Sequence, residues 1–197
     1  MRKDRLLAFS DGMFAIIITI MVLELKVPHD DTWAALVALA PKLASYLLSF
    51  IYVAIYWNNH HHLLEPVQRI NGAALWANMG LLFWLSLVPF ATAWMGETHF
   101  ATIPTAIYGV VLLLPAVAYT ILQRSLIAAH PSNALLQHAI GSDVKGKSSL
   151  ALYVAGILLA FIHTGASLAL FALVALIWLV PDRRIERAVT EHRDSKK

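Results

Sequence analysis

Two groups of side chains in this sequence could do chemistry: one carboxylate inside an apolar run, and three consecutive histidines. Asp11 lies between Arg5 and Pro28, in a run whose apolar part, 6–25, would span about 30 Å as a helix. That length crosses the hydrocarbon core of a bilayer, where an ionisable side chain has to face protein or water. Asp11 is therefore either a candidate site residue or a headgroup-level residue near the start of a helix.

The histidines His60, His61 and His62 invite a metal-binding or proton-transport interpretation. Consecutive helical residues point about 100° apart, so three adjacent rings cannot chelate one ion from a regular helix. The chain has no cysteine and no H-E-x-x-H motif. We expect no metal site and no cofactor. Asp11 with His61 is the one candidate acid–base pair, which is too little for a catalytic constellation, so we expect no enzyme.

The composition indicates an integral membrane protein. Of the 197 residues, 59% are hydrophobic and 14% are charged, whereas about a quarter are charged in ordinary soluble domains. The net charge of +3 does not indicate a nucleic-acid partner, because the basic residues lie at the segment ends and not on one face. The first apolar run is too long for a signal peptide and lacks a small-residue cleavage motif, so we expect it to be retained.

Six apolar segments are predicted to cross the bilayer as helices of a single all-α unit over 1–197. The segments cover approximately 6–27, 41–62, 74–95, 102–123, 148–162 and 165–180. The last two would measure about 50 Å as one helix, which is too long for one passage. A polar stretch, 124–147, precedes this pair, and a charged tail over 182–197 follows it.

The placement of basic residues predicts the orientation of these crossings. With six crossings, all 15 Lys and Arg residues except Lys26 and Lys42 fall on one side. The positive-inside rule makes that side the cytoplasm, so both termini are expected there, with the protein in the cell membrane. Five crossings would place the basic tail outside, which the same rule disfavours.

The first segment is predicted to have two opposite helical faces. An aliphatic stripe lies within about 40° of one direction; it comprises Gly12, Ile16, Ile20, Leu23 and Val27. Thr19 lies about 60° to one side, whereas Ser10 and Asp11 project roughly opposite to the stripe. The polar face should therefore meet a partner within the bundle. Taken alone, the aliphatic stripe is typical of a lipid-facing or packing surface.

Three motifs resemble those of a known family. They are Arg5-x-x-x-Phe9-Ser10-Asp11 with Ile16-Ile17-Ile18-Thr19 and Leu23-Glu24-Leu25, then Tyr56-Trp57-Asn58-Asn59-His60-His61, and then Asn78 with Pro89-Phe90-Ala91-Thr92. Together they resemble the transmembrane protein 175 family, which comprises lysosomal potassium channels in animals and shorter prokaryotic homologues. The likeness covers the chain and is strongest over 5–92.

The resemblance implies a homotetramer around one central pore, lined by the first helix of each subunit. Transferred by position, the pore constriction would consist of Ile16, Ile20 and Leu23, with Thr19 beside the pore. No T-V-G-Y-G filter loop is present, so aliphatic rings would replace a carbonyl-lined filter. The implied function is passive conduction of K⁺ and other monovalent cations with a modest preference for K⁺ over Na⁺.

The resemblance also implies a buried polar network that fixes the first helix to its own bundle. Its members would be Arg5, Ser10, Asp11, Trp57, His61 and Asn78. Which of the three histidines joins this network stays open. The acids Asp30, Asp31 and Glu97 could concentrate cations at the outer mouth, or could be ordinary loop acids.

The alternative function is an ion- or proton-coupled transporter. Such proteins favour helices broken near the middle of the membrane, and Pro89 and Pro115 could bend the third and fourth segments. Prolines are common in membrane helices, however, and so do not by themselves favour a transporter.

Overall fold

A computed structural model describes residues 3–131 and 144–179 of the chain, and these residues form eight helices. The helices are α1 (Lys3–Leu23), α2 (Trp33–Ala38), α3 (Ala40–Leu64), α4 (Gly72–Leu85), α5 (Val88–Glu97), α6 (Thr102–Ala129), α7 (Val144–Ala160) and α8 (Thr164–Leu179). Within this part of the chain, the predicted all-α class is confirmed. The predicted tail over 182–197 lies outside the described residues, as does 132–143 of the polar stretch.

The ends of two long helices differ from their predicted positions. Helix α1 ends at Leu23, four residues before the predicted end, and a turn at Glu24 and Leu25 leads to Pro28, which disfavours helical geometry in the residue before it. Helix α6 continues to Ala129, six residues beyond its predicted end. It ends at His130, which leaves helical geometry with φ −132° and ψ 61° immediately before Pro131.

The third predicted segment, 74–95, is two helices and not one. Pro89 lacks a backbone N–H, and its ring would clash with the carbonyl of Leu85 in a continuous helix, so the chain turns between α4 and α5. The hydrogen-bond donors of Ser86 in this turn are satisfied locally. The backbone N–H and the hydroxyl of Ser86 donate to carbonyls of the preceding turn at 2.9 and 2.7 Å.

Three helical stretches of the described chain are long and apolar enough to cross a membrane. They are α1, the stacked pair α4 and α5 (Gly72–Glu97), and α6. Helix α8 is a shorter apolar helix of 16 residues. These lengths support a protein that passes through the membrane more than once.

Contacts between helix ends show that neighbouring helices run in opposite directions. Lys3 Nζ donates to the carbonyl of Glu65 at 2.7 Å, joining the start of α1 to the end of α3. At the other end of the bundle, Lys42 Nζ lies 3.0 Å from Glu97 Oε2, joining the start of α3 to the end of α5. Trp178 on α8 donates to Ser149 on α7 at 2.8 Å, which joins the end of α8 to the start of α7.

Helix α6 lies at the centre of the bundle, where it packs against α4, α5, α7 and α8. The core beside it is aromatic and includes Tyr52, Tyr108, Tyr153 and Phe171. Helix α1 lies at the edge of the bundle and packs mainly on α3, α4 and α5 among the described helices. Part of its surface is therefore left uncovered.

Candidate functional site

Helix α1 has one packed face and one bare face. The packed face follows helical spacing and consists of Leu6, Ser10, Phe14, Ile17 and Met21. In the most apolar 18-residue window of α1, 28% of the residues are buried, against 56% for the central helix α6. A large, mainly apolar part of α1 is therefore surface that the described bundle does not cover.

The predicted constriction residues lie on this bare face. Ile16 is 53% exposed, Ile20 is 43% exposed and Leu23 is 73% exposed. Thr19 is exposed beside them, and its hydroxyl donates to the carbonyl of Ala15 at 2.8 Å, so its proton is used within the helix. The aliphatic stripe of α1 is one turn shorter than predicted, because Val27 lies beyond the end of the helix.

A buried hydrogen-bonded group fastens the packed face of α1 to α3 and α4. Asn78 Nδ2 donates to Ser10 Oγ at 3.1 Å, and Asn78 Oδ1 lies 2.7 Å from Nε2 of His60. All three residues are at most 1% exposed. Because the amide oxygen of Asn78 can only accept, Nε2 of His60 must carry the proton in this bond.

The prediction that His61 joins this group is wrong, because His60 occupies the position. His60 continues the buried face of α3 one helical turn after Tyr56, whereas His61 is rotated about 100° away and is exposed. The His61 ring instead contacts that of His62, with centroids 5.6 Å apart.

Asp11 and Arg5 also lie elsewhere than the predicted network placed them. Trp57 Nε1 donates to Asp11 Oδ1 at 3.0 Å, but Asp11 is exposed and Trp57 is 48% exposed. Asp11 follows Ser10 by one helical step, which carries its carboxylate off the packed face to the edge between α1 and α3. Arg5 is exposed and belongs to neither bonded group. The predicted network is therefore a buried triad and a separate surface pair.

The three acids that we expected at the outer mouth differ from one another in their surroundings. Glu97 pairs with Lys42, so the charge of its carboxylate is largely compensated. Asp30 and Asp31 are exposed in the loop before α2. Among the residues that the structure describes, no three His, Asp or Glu side chains come close enough together to hold a metal ion.

The bundle and its apolar spans define a multi-pass, all-helical membrane protein. Residues 5–89 match the family described as endosomal/lysosomal potassium channel TMEM175. A potassium channel from Chryseobacterium sp. (strain P1-3) is 53% identical over 192 residues, which cover 98% of this chain and 100% of that protein. The chain belongs to the TMEM175 family.

The fold is also that of a solved relative. A crystal structure of a lysosomal potassium-selective channel TMEM175 homolog from Chamaesiphon minutus matches with a TM-score of 0.78 and 28% identity, covering 91% of this chain and 97% of that one. A more distant relative, the endosomal/lysosomal proton channel TMEM175 of Danio rerio, is 29% identical over 133 residues. That match covers 65% of this chain and 25% of the fish protein.

Proposed function

We propose that this chain forms a potassium-permeable cation channel whose pore is lined by the bare face of α1. Ile16, Ile20 and Leu23 form its constriction, and Thr19 lies beside it. The observation that carries this proposal is the contrast on α1: these three side chains are about half exposed or more, while the opposite face is packed and hydrogen-bonded. The description of the 53% identical relative as a potassium channel supports it.

The pore of this proposal needs four subunits around one axis. Four aliphatic side chains at each level close a gap that wets or dries with small changes in radius. A passing ion sheds part of its water shell there, and K⁺ sheds water at a lower cost than Na⁺. Because the rings offer no carbonyl oxygens to replace that water, the channel prefers K⁺ only modestly.

The proposed subunit crosses the cell membrane six times, by α1, α3, the α4–α5 pair, α6, α7 and α8. Helices α7 and α8 have 17 and 16 residues. At 1.5 Å per residue they measure about 25 Å, a small mismatch that a bilayer accommodates by local thinning. The opposite directions of successive helices support placing both termini on one side, and the basic residues favour the cytoplasm.

The alternative of a coupled transporter rests on the break between α4 and α5. Transporters use unwound backbone to coordinate ions in a cavity. Here the carbonyl oxygens of Leu82, Phe83 and Trp84 before the break already accept hydrogen bonds from Ser86 and Leu87. The break therefore resembles a proline kink more than an ion site, which favours the channel.

Flux measurements on the purified chain in liposomes test the proposal. A K⁺ gradient should drive passive flux that does not saturate and needs no counter-ion, with smaller flux for Na⁺. A pH-sensitive dye inside the same vesicles reports whether protons also permeate, as the description of the fish relative suggests. Flux that saturates and requires a second ion would support the transporter instead.

Substitutions on α1 test the assignment of the constriction. Ile20→Ala and Leu23→Ala should widen the pore and change the single-channel conductance or the K⁺/Na⁺ permeability ratio. Ile121→Ala is the matched control, because Ile121 is 52% exposed on α6, away from the proposed pore. Wild-type currents in both α1 variants would refute the aliphatic constriction.

A further inference from the structure

Helix α5 lies behind the half of α1 that carries Ile20 and Leu23. It packs against α1, α3 and α6. A cleft near the outer end of the bundle is bordered by Met21 on α1, Ser45 on α3 and Thr92 on α5. Met21 is buried and lies between Ile20 and Leu23 in the sequence. The side of α5 that faces Met21 therefore supports the turn of α1 that carries Ile20 and Leu23.

The turn between α4 and α5 means that α5 is held mainly by the helices packed against it. Of these helices, α3 makes the most extensive contact with α5. Two contacts join the start of α3 to the end of α5. A Cβ added at Gly96 would come within 2.5 Å of Ser45 Oγ and 2.9 Å of Lys42 Cα, so the two helices touch there. Glu97 also pairs with Lys42 at 3.0 Å.

The third contact is a buried chain of hydroxyl groups. Thr92 Oγ1 lies 2.6 Å from Ser49 Oγ and 2.7 Å from the carbonyl oxygen of Val88, and Ser49 Oγ lies 2.9 Å from the hydroxyl of Tyr108. A hydroxyl has one proton, so Thr92 can donate to only one of its two neighbours. If Thr92 donates to Val88, Ser49 donates to Thr92 and Tyr108 donates to Ser49, and every proton in the chain is used.

We propose that Thr92 is a positioning residue for the pore constriction, holding α5 against the back of α1 through Ser49 and Tyr108. This inference rests on the proposed channel function. Loss of the hydroxyl at Thr92 removes the link to α3 at the level where α5 supports Met21. The α1 turn with Ile20 and Leu23 then shifts, and a hydrophobic constriction responds strongly to a small change in radius.

Three variants at two threonines test the role of this hydroxyl. Thr92→Val keeps the shape of the side chain but removes the hydroxyl, whereas Thr92→Ser keeps it. Thr120→Val is the matched control, because among the described residues the Thr120 hydroxyl bonds only to the carbonyl one turn back, Ala116, at 3.0 Å. Each is reconstituted in planar bilayers, and single-channel conductance and reversal potential are measured with K⁺ and Na⁺ on opposite sides.

Thr92→Val should change the conductance or the K⁺/Na⁺ permeability ratio about twofold or more, the change in an equilibrium expected from losing even a weak net hydrogen bond. Thr92→Ser and Thr120→Val should behave as wild type. Wild-type conductance and reversal potential in Thr92→Val would overturn the inference, even with a lowered melting temperature, because that result describes a purely structural residue.

A second variant covers the case in which Thr92→Val does not fold. Tyr108→Phe removes only the far hydroxyl of the chain and leaves α5 intact, and it should change conductance in the same direction by a smaller factor. Wild-type permeation in Tyr108→Phe would then overturn the inference. A wild-type chain that conducts no K⁺ would refute the proposed function itself, which separates the two failures.

Discussion

Replacing Asn78 by leucine tests how strongly the buried triad holds α1 in place. Leucine has the branched outline of asparagine, with a somewhat larger side chain, but removes both hydrogen bonds, to Ser10 and to His60, which are 0% and 1% exposed. Hydrogen bonds between membrane helices average about 0.6 kcal/mol each. A buried polar group left without a partner costs about 1–3 kcal/mol.

The second effect should exceed the first, because Asn78→Leu strands two groups that have no access to water. We expect the free energy of unfolding to fall by at least about 2 kcal/mol, the lower limit for two stranded groups. Unfolding by SDS in mixed micelles, followed by tryptophan fluorescence, measures this difference. Adding Ser10→Ala should recover part of the loss, since one stranded hydroxyl is then absent.

Asn58→Leu provides the control on α3, where Asn58 is only partly buried and makes no side-chain hydrogen bond to the described residues. Its effect should stay within the range of about 0.5 kcal/mol that is usual for sites without such features. An Asn78→Leu protein as stable as the Asn58→Leu protein would refute the reasoning, because the triad would then contribute no more than ordinary packing.

Two further predictions concern the edge of α1 and the contact between α3 and α5. Asp11→Ala should lower the fraction of assembled oligomer in size-exclusion chromatography more than it alters permeation, because it removes the hydrogen bond that Trp57 Nε1 donates at the α1–α3 edge. An assembled, normally stable variant would contradict this. Gly96→Ala should destabilise by about 1–3 kcal/mol, since its methyl group would overlap Ser45. Gly80→Ala is the control and should be neutral or stabilising in thermal unfolding, because nothing lies within 4 Å of a Cβ there. If the two alanine variants changed the melting temperature equally, the result would argue against close packing at Gly96.

The sequence predicted the faces of α1 better than it predicted their partners. Helical spacing separated Ile16 and Ile20 from Ser10, and the structure places them on the bare and packed faces. The same spacing erred for Asp11, because one step of about 100° carries a side chain from the packed face to its edge. Periodicity in one helix therefore defines a direction, but not how much of the surface a neighbour covers.

Contacts distant in the sequence were harder to predict. His60 and Asn78 meet across two helices, and only the register of α3 against α4 selects His60 over His61. The chain from Thr92 to Tyr108 through Ser49 joins three helices that no local pattern relates. Pro89 was noted as a possible bend, but its effect on the attachment of α5 depends on what α3 presents to it.

The bare face of α1 has a consequence for biogenesis. If the proposed pore forms, a newly inserted copy exposes Ile16, Thr19 and Ile20 on the bare face of α1, with Asp11 at the edge of that helix. A carboxylate that faces lipid is costly, so under this proposal an orphan copy would be less stable in the membrane than an assembled one. Partner copies that cover this face would thus protect the chain, and membrane proteases would recognise surplus copies by the same surface that is proposed to line the pore.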